Sequence, residues 1–182
     1  VQEEVGARGA GAATELASPD VAIVLESTPA DDTPGFAVRQ SVLGRGPQVR
    51  MFDPTTVASR RLVEHVRDTG ARIDVPLQVA VRRTGGTDAQ EFHLGGTGVP
   101  TVVVGVPTRY IHTHVAIARW ADYLAAFELV VAVARALERD RALCRQRPGD
   151  ALVLGVERAV ALVEDLEGPD KVAVEADQRH RQ

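Results

Sequence analysis

Residues 98–114 read GVPTVVVGVPTRYIHTH, and the run Thr101–Val106 within them sets the fold class. Gly105 apart, every residue of TVVVGV is β-branched, the side-chain type that suits a pleated, packed strand. The run is apolar on both of its alternating faces, so it belongs to a sheet covered on both sides. Working outward, Asp20–Glu26 (DVAIVLE) is a second apolar run, which reads as a buried strand ending in an acid, and Leu77–Val81 is another strand. Thr84–Asp88 (TGGTD) is a turn leading into a short helix. Asp53-Pro54 reads as an N-cap followed by a first-turn proline. The helix it starts would bury Val57, Leu62 and Val66 and stop before Gly70.

From Ile117 to Arg139 the apolar positions Trp120, Leu124, Phe127, Val130, Val131, Ala134 and Leu137 fall at helical spacing and predict a long amphipathic helix. The Pro-, Gly- and Asp-rich stretch Thr28–Pro47 is a loop excursion, with a short edge strand expected around Phe36–Val42. Strands alternating with helices predict an α/β layered fold on a largely parallel sheet. After Arg145 the character changes. Residues 146–150 read as a linker, Ala151–Leu166 as a further helix and Glu167–Gln182 as a charged tail. The chain therefore divides into residues 1–145 and 146–182.

Composition narrows the function classes. A net charge of −4 and a pI near 5.7 argue against nucleic-acid binding, which calls for a basic face. The one cysteine, Cys144, excludes a disulfide framework or a CxxC metal site and points to a reducing, cytoplasmic setting. No apolar run approaches the roughly 18 residues of a membrane span.

In open α/β sheets, ligands bind beyond the carboxyl ends of the strands. Three groups fall there: Glu3 and Glu4 in VQEEVGARGA, Glu26 at the end of VAIVLE, and His112 just after TVVVGV. Taken singly, each reads as a solvated charge or a polar loop residue. Around them, however, VQEEVGARGA, ADDTPG at Ala30–Gly35, LGRGP at Leu43–Pro47, GGTDA at Gly85–Ala89, GVPT at Gly98–Thr101 and RYIHTH at Arg109–His114 occur in that order. Each motif alone is unspecific. Together, over residues 1–140, they closely resemble the M42 family of metallo-aminopeptidases, which includes glutamyl aminopeptidases and tetrahedral, dodecameric aminopeptidases, some carrying an endoglucanase label.

The resemblance implies a three-layer αβα fold of the zinc-exopeptidase kind with a mixed, largely parallel sheet. It also implies removal of N-terminal residues from peptides by a site with two divalent ions, zinc or cobalt, with manganese a third possibility. Carried onto this sequence, Glu3 matches the general base, Glu4 a ligand of one ion, Glu26 a ligand of the other, and His112 a ligand of the same ion as Glu4. His114 is the alternative to His112. Thr87 and Asp88 match residues beside the site or its pocket, although Asp88 also reads as a helix N-terminal charge. Arg109 would anchor the His112 loop or hold a substrate group. His65 and His93 are expected at the surface, and His180 lies in the tail.

In the family a histidine ligand, the bridging aspartate and a smaller β-rich domain used in oligomerisation precede the Glu-Glu pair, and this sequence contains none of them. It therefore reads as the N-terminally incomplete C-terminal half of a catalytic domain, inactive by itself, from a protein that forms homo-oligomers up to a dodecamer. Carboxylates left together without metal would repel one another and favour protonation of one of them. The alternative is a truncated, non-catalytic paralogue that docks onto an intact aminopeptidase as an assembly or regulatory subunit.

Overall fold

The computed structural model describes residues 2–139. The helix, tail and domain boundary expected beyond Arg139, and His180 with them, lie outside the described residues. Six strands form one mixed sheet: β1 (Ala22–Pro29), β2 (Gln48–Asp53), β3 (Thr56–Val57), β4 (Gln78–Val81), β5 (Thr101–Arg109) and β6 (Ile117–Ala118). Strand β1 runs parallel to β5 and β2 parallel to β4, while β2 and β5 meet antiparallel in the middle. The two-residue strands β3 and β6 pair antiparallel with β2 and β5 respectively.

TVVVGV lies at the centre of this sheet, and its alternation divides the interior in two. Val102 and Val104 face a core with Val49, Leu62, Val66, Leu129, Val133 and Leu137, beneath helices α2 (Arg60–Arg72) and α4 (Trp120–Arg139). Val103 faces the opposite side with Val24, Ala89 and Phe92, beneath α1 (Arg8–Ala17) and α3 (Ala89–Leu94). Helices on both faces give the expected three layers. Burial on each face is why the run carries no polar alternation.

Gly105 breaks the apolar pattern for a packing reason. A Cβ there would lie 2.8 Å from Thr28 Cβ and Cγ2. The gap lets Thr28 reach over β5 and donate to Gln48 Oε1 at 2.7 Å, while Arg50 Nη2 donates to Thr28 Oγ1 at 3.2 Å. Arg50 also pairs with Asp53 at 3.1 Å, so a buried polar bridge links β1 to β2 across the glycine.

Several expectations need correction. Asp53-Pro54 does not start a helix. Asp53 Oδ1 instead accepts the Thr55 N–H (2.9 Å), the Thr55 hydroxyl (2.7 Å) and the Thr56 N–H (2.9 Å), closing the turn between β2 and β3. An aspartate before proline serves an N-cap or a turn equally well, and the β2 pairing partners decide between them. Val57 is consequently exposed on β3. Helix α2 starts after Ser59 and continues through Gly70 to Arg72. Gly70 is a packing residue, since a Cβ there would meet Leu77 Cδ1 at 2.8 Å. No strand forms over 36–42. Ile117 belongs to β6, and Trp120, at the outer end of α4, is exposed and stacked on Tyr123 with 4.8 Å between ring centroids. His65 and His93 are half-buried rather than at the surface.

Candidate functional site

Glu3 and Glu4 sit on a single 3-10 turn, Glu3–Val5, immediately before α1. The backbone around them is unusual: Gln2, Gly6 and Ala7 all have positive φ, at 64°, 94° and 53°. Among the described residues, this turn is the element that carries both carboxylates. Glu26 lies inside β1, opposite Gly105, and is half-buried. His112 sits in the hairpin between β5 and β6, with its own φ at 63° and that of Tyr110 at 56°.

The fold brings these separate segments together. His112 Nδ1 stands 3.1 Å from Glu4 Oε1, both side chains being exposed. The Asp88 N–H, at the start of α3, donates to Glu26 Oε1 at 3.3 Å. Glu3 feels the charges of Glu4, Asp88 and His112, and Glu26 those of Glu3, Asp88 and Arg50. Burial first, then Glu4 and Asp88, raise the Glu3 carboxyl above its ordinary value. Glu26 is pushed up to about 7, chiefly by burial and further by Glu3 and Asp88, against the opposing Asp88 N–H and Arg50. Repulsion between carboxylates thus contributes, but loss of solvent is the larger cause.

The remaining candidates divide. Thr87 is buried, and its hydroxyl accepts the Ala89 N–H at 3.2 Å, opening α3. Asp88 Oδ1 is buried with no hydrogen-bond partner. Arg109 is held by Asp32, Nε to Oδ1 at 2.7 Å and Nη2 to Oδ2 at 2.9 Å, which holds the Asp32 carboxyl below its usual range. His114 is exposed in the same hairpin as His112. Among the described residues, no group of three or more His, Cys, Asp or Glu side chains is gathered tightly enough to hold a metal ion.

Sequence reasoning missed the carboxylates that carry the loops. Asp31 pairs with Arg82 at 2.9 Å and accepts the Gln40 and Ser41 amides. Asp122 accepts the amides of Gly44 and Gly46. The paired aspartates of ADDTPG were the available signal, since aspartate in a Gly/Pro-rich loop commonly caps backbone N–H groups.

The elevated Glu26 pKa has a consequence for the metal-free chain. Below its ordinary value of 4.5, Glu26 is protonated whether folded or unfolded and pH has no leverage. Between 4.5 and about 7 the unfolded chain ionises while the folded one keeps its proton, so stability falls as pH rises, and above 7 the penalty is complete. Glu26→Gln, which still accepts the Asp88 N–H, should leave melting at pH 4 unchanged and stabilise the metal-free protein at pH 8 by about 1–2 kcal/mol, less than the full shift would give because solvent screens the half-buried carboxyl. Thermal melts of both proteins at the two pH values check this, and equal gains at both would refute it.

Comparison with known proteins gives a consistent answer. The sequence profile of the M42 glutamyl aminopeptidases matches residues 1–129. The glutamyl aminopeptidase of Lactococcus lactis is 37% identical over 141 residues, covering 78% of this chain and 39% of that protein. A TET aminopeptidase from a marine sediment Thaumarchaeota archaeon superposes with a TM-score of 0.74 at 36% identity, covering 79% of this chain and 41% of that one. The TET1 peptidase of Pyrococcus horikoshii, which can assemble into a tetrahedron or a large octahedral shell, superposes with a TM-score of 0.64 at 29% identity, covering 73% of this chain and 38% of that one. The chain thus spans about two fifths of the length of these relatives. By profile, sequence and fold, it belongs to the M42 family of glutamyl aminopeptidases.

Proposed function

We propose that this chain forms part of a peptidase that removes N-terminal residues from short peptides. In this reading Glu3 is the general base, and Glu4, Glu26 and His112 are ligands to a pair of divalent ions, zinc or cobalt, with manganese as the third option. The observation that carries it is the convergence of Glu3, Glu4, Glu26 and His112 from three separate segments. M42 enzymes are generally metal-dependent, and the donors here fit such an ion chemically. Glu4 Oε1 and His112 Nδ1, 3.1 Å apart, would offer an oxygen and a nitrogen donor of the kind zinc or cobalt takes. Burial and, after it, the charges of Glu3 and Asp88 favour protonation of Glu26, and a bound cation would oppose that.

When bound, the ions supply Lewis acidity and lower the pKa of the attacking water. Glu3 takes the proton from that water and delivers it to the departing amine. Its raised pKa makes it a stronger base than a solvated glutamate, better matched to neutral pH. Thr87 and Asp88 border the Glu26 side of the site. In this reading the remaining donors of a two-ion centre, including a bridging carboxylate, come from outside this chain, which is inactive by itself. By likeness to its TET relatives the working protein is a large homo-oligomer, and the single cysteine of this chain suits the cytoplasm.

The test is an assay of the purified 182-residue chain with zinc or cobalt against aminoacyl p-nitroanilides, alongside zinc titration of wild type and His112→Ala. No turnover is expected, and zinc affinity should drop in the variant. Robust hydrolysis by the chain alone overturns the need for outside donors, and unchanged zinc affinity in His112→Ala overturns the ligand assignment.

A further inference from the structure

His112 is held in an improbable way. Its backbone and that of Tyr110 occupy the left-handed region, which side chains with a Cβ rarely adopt. Its imidazole is exposed, so core packing does not fix it. The hairpin that carries it rests on only two strand pairs, Thr108 with Ala118 and Arg109 with Ile117. Within the loop, Thr113 Oγ1 donates to the Tyr110 carbonyl at 2.6 Å and accepts the Val115 N–H at 3.3 Å. These bonds shape the loop but do not tie it to the body of the protein.

The ties come from the excursion between β1 and β2. On the first leg of the hairpin, both oxygens of Asp32 grip the Arg109 guanidinium, and Asp32 Oδ2 also accepts the Leu43 N–H at 3.0 Å. The Asp32 side chain is only 5% exposed. Beyond the second leg, Asp122 at the start of α4 accepts the Gly44 and Gly46 amides of the same excursion at 2.7 and 2.9 Å. The excursion is therefore a saddle gripped on both sides of the His112 loop, and a two-point Arg–carboxylate contact fixes orientation as well as distance.

We propose that Asp32, acting through Arg109, is a positioning residue for His112, holding the strained hairpin so that the imidazole faces Glu4. Asp31 provides the internal comparison. It makes a similar buried contact from the same excursion, but to Arg82 just after β4, a residue outside the hairpin.

The test has two arms, and only the second rests on the metal-ligand reading of His112. In the metal-free chain, 15N relaxation should give order parameters near about 0.85 for residues 111–115, falling below about 0.6 in Asp32→Asn and in Arg109→Lys. Arg82→Lys should leave them unchanged while the fold remains intact in all three variants. A wild-type loop already below that level, an unchanged loop in both clamp variants, or equal loosening in Arg82→Lys would each overturn the proposal. Arg109→Lys keeps the charge and removes only the fork, so it decides the matter if Asp32→Asn does not fold.

In the second arm, zinc affinity should fall about 10–100-fold in Asp32→Asn. In a His112→Ala background, Asp32→Asn should cost less than about twofold more, because its effect passes through that side chain. An equal loss in both backgrounds overturns the proposal. If wild-type zinc binding ignores His112→Ala, the ligand assignment fails instead, and the relaxation arm alone judges the clamp.

Discussion

Replacing Glu3 with glutamine in the full-length protein is expected to lower turnover by about 10²–10⁴-fold while metal content stays unchanged. Glutamine keeps the size and hydrogen-bonding oxygen of the side chain but cannot accept the proton that must leave the attacking water. The Glu3 carboxyl is raised by burial and by Glu4 and Asp88, so its proton affinity is built by its surroundings and is lost with the charge. Under the ligand role proposed for it beside His112, 3.1 Å away, Glu4→Gln should behave differently and release metal. Metal analysis and kcat on the two variants separate the roles. More than a tenth of wild-type kcat surviving in Glu3→Gln would refute the general-base assignment.

A large effect on stability is expected away from the site, at Asp122. Its carboxylate is 2% exposed and accepts two backbone amides, Gly44 and Gly46, on either side of Arg45. Hydrogen bonds to a charged group contribute roughly 1.5–3 kcal/mol each. Asp122→Ala leaves both donors unsatisfied and should cost about 3–5 kcal/mol, which lowers Tm by roughly 10 °C for a domain of this size. Asp122→Asn retains one acceptor oxygen and should lose about half as much. The loop cannot adjust freely to compensate. Gly46 has a φ of 81°, and a Cβ there would meet the Pro76 carbonyl, so its backbone is already pressed against β4's approach. Denaturation of both variants checks the ordering, and an alanine variant as stable as the asparagine one would contradict it.

How much could be read in advance varies with the range of the interactions involved. TVVVGV is legible because its two faces are buried by different layers, and any strand buried that way is apolar throughout. The α4 stripe is legible for the same reason, although Trp120 at its outer end projects past the core. Asp53-Pro54 and Gly70 misled because each residue type has two uses. Aspartate before proline caps a helix or closes a turn, and glycine ends a helix or admits a neighbour. At Asp53 the choice is made by β2's pairing with β4 and β5, and at Gly70 by Leu77. The candidates Glu3, Glu4, Glu26 and His112 come from the resemblance of their motifs to the family. The sequence could not show that Asp32 grips Arg109 from 77 positions away, or that Asp88 donates its amide to Glu26.

The sequence by itself determined the layered α/β class and the strands β1, β4 and β5 with the long helix α4, since these rest on local propensity and burial periodicity, but not β2, whose place between β5 and β4 is set by its partners. Only the tertiary structure decided which carboxylate carries a loop and which faces the site, and that Glu26 holds its proton up to about 7. Those properties depend on which groups are brought close and how much water is excluded between them, and distance in space is not written in distance along the chain.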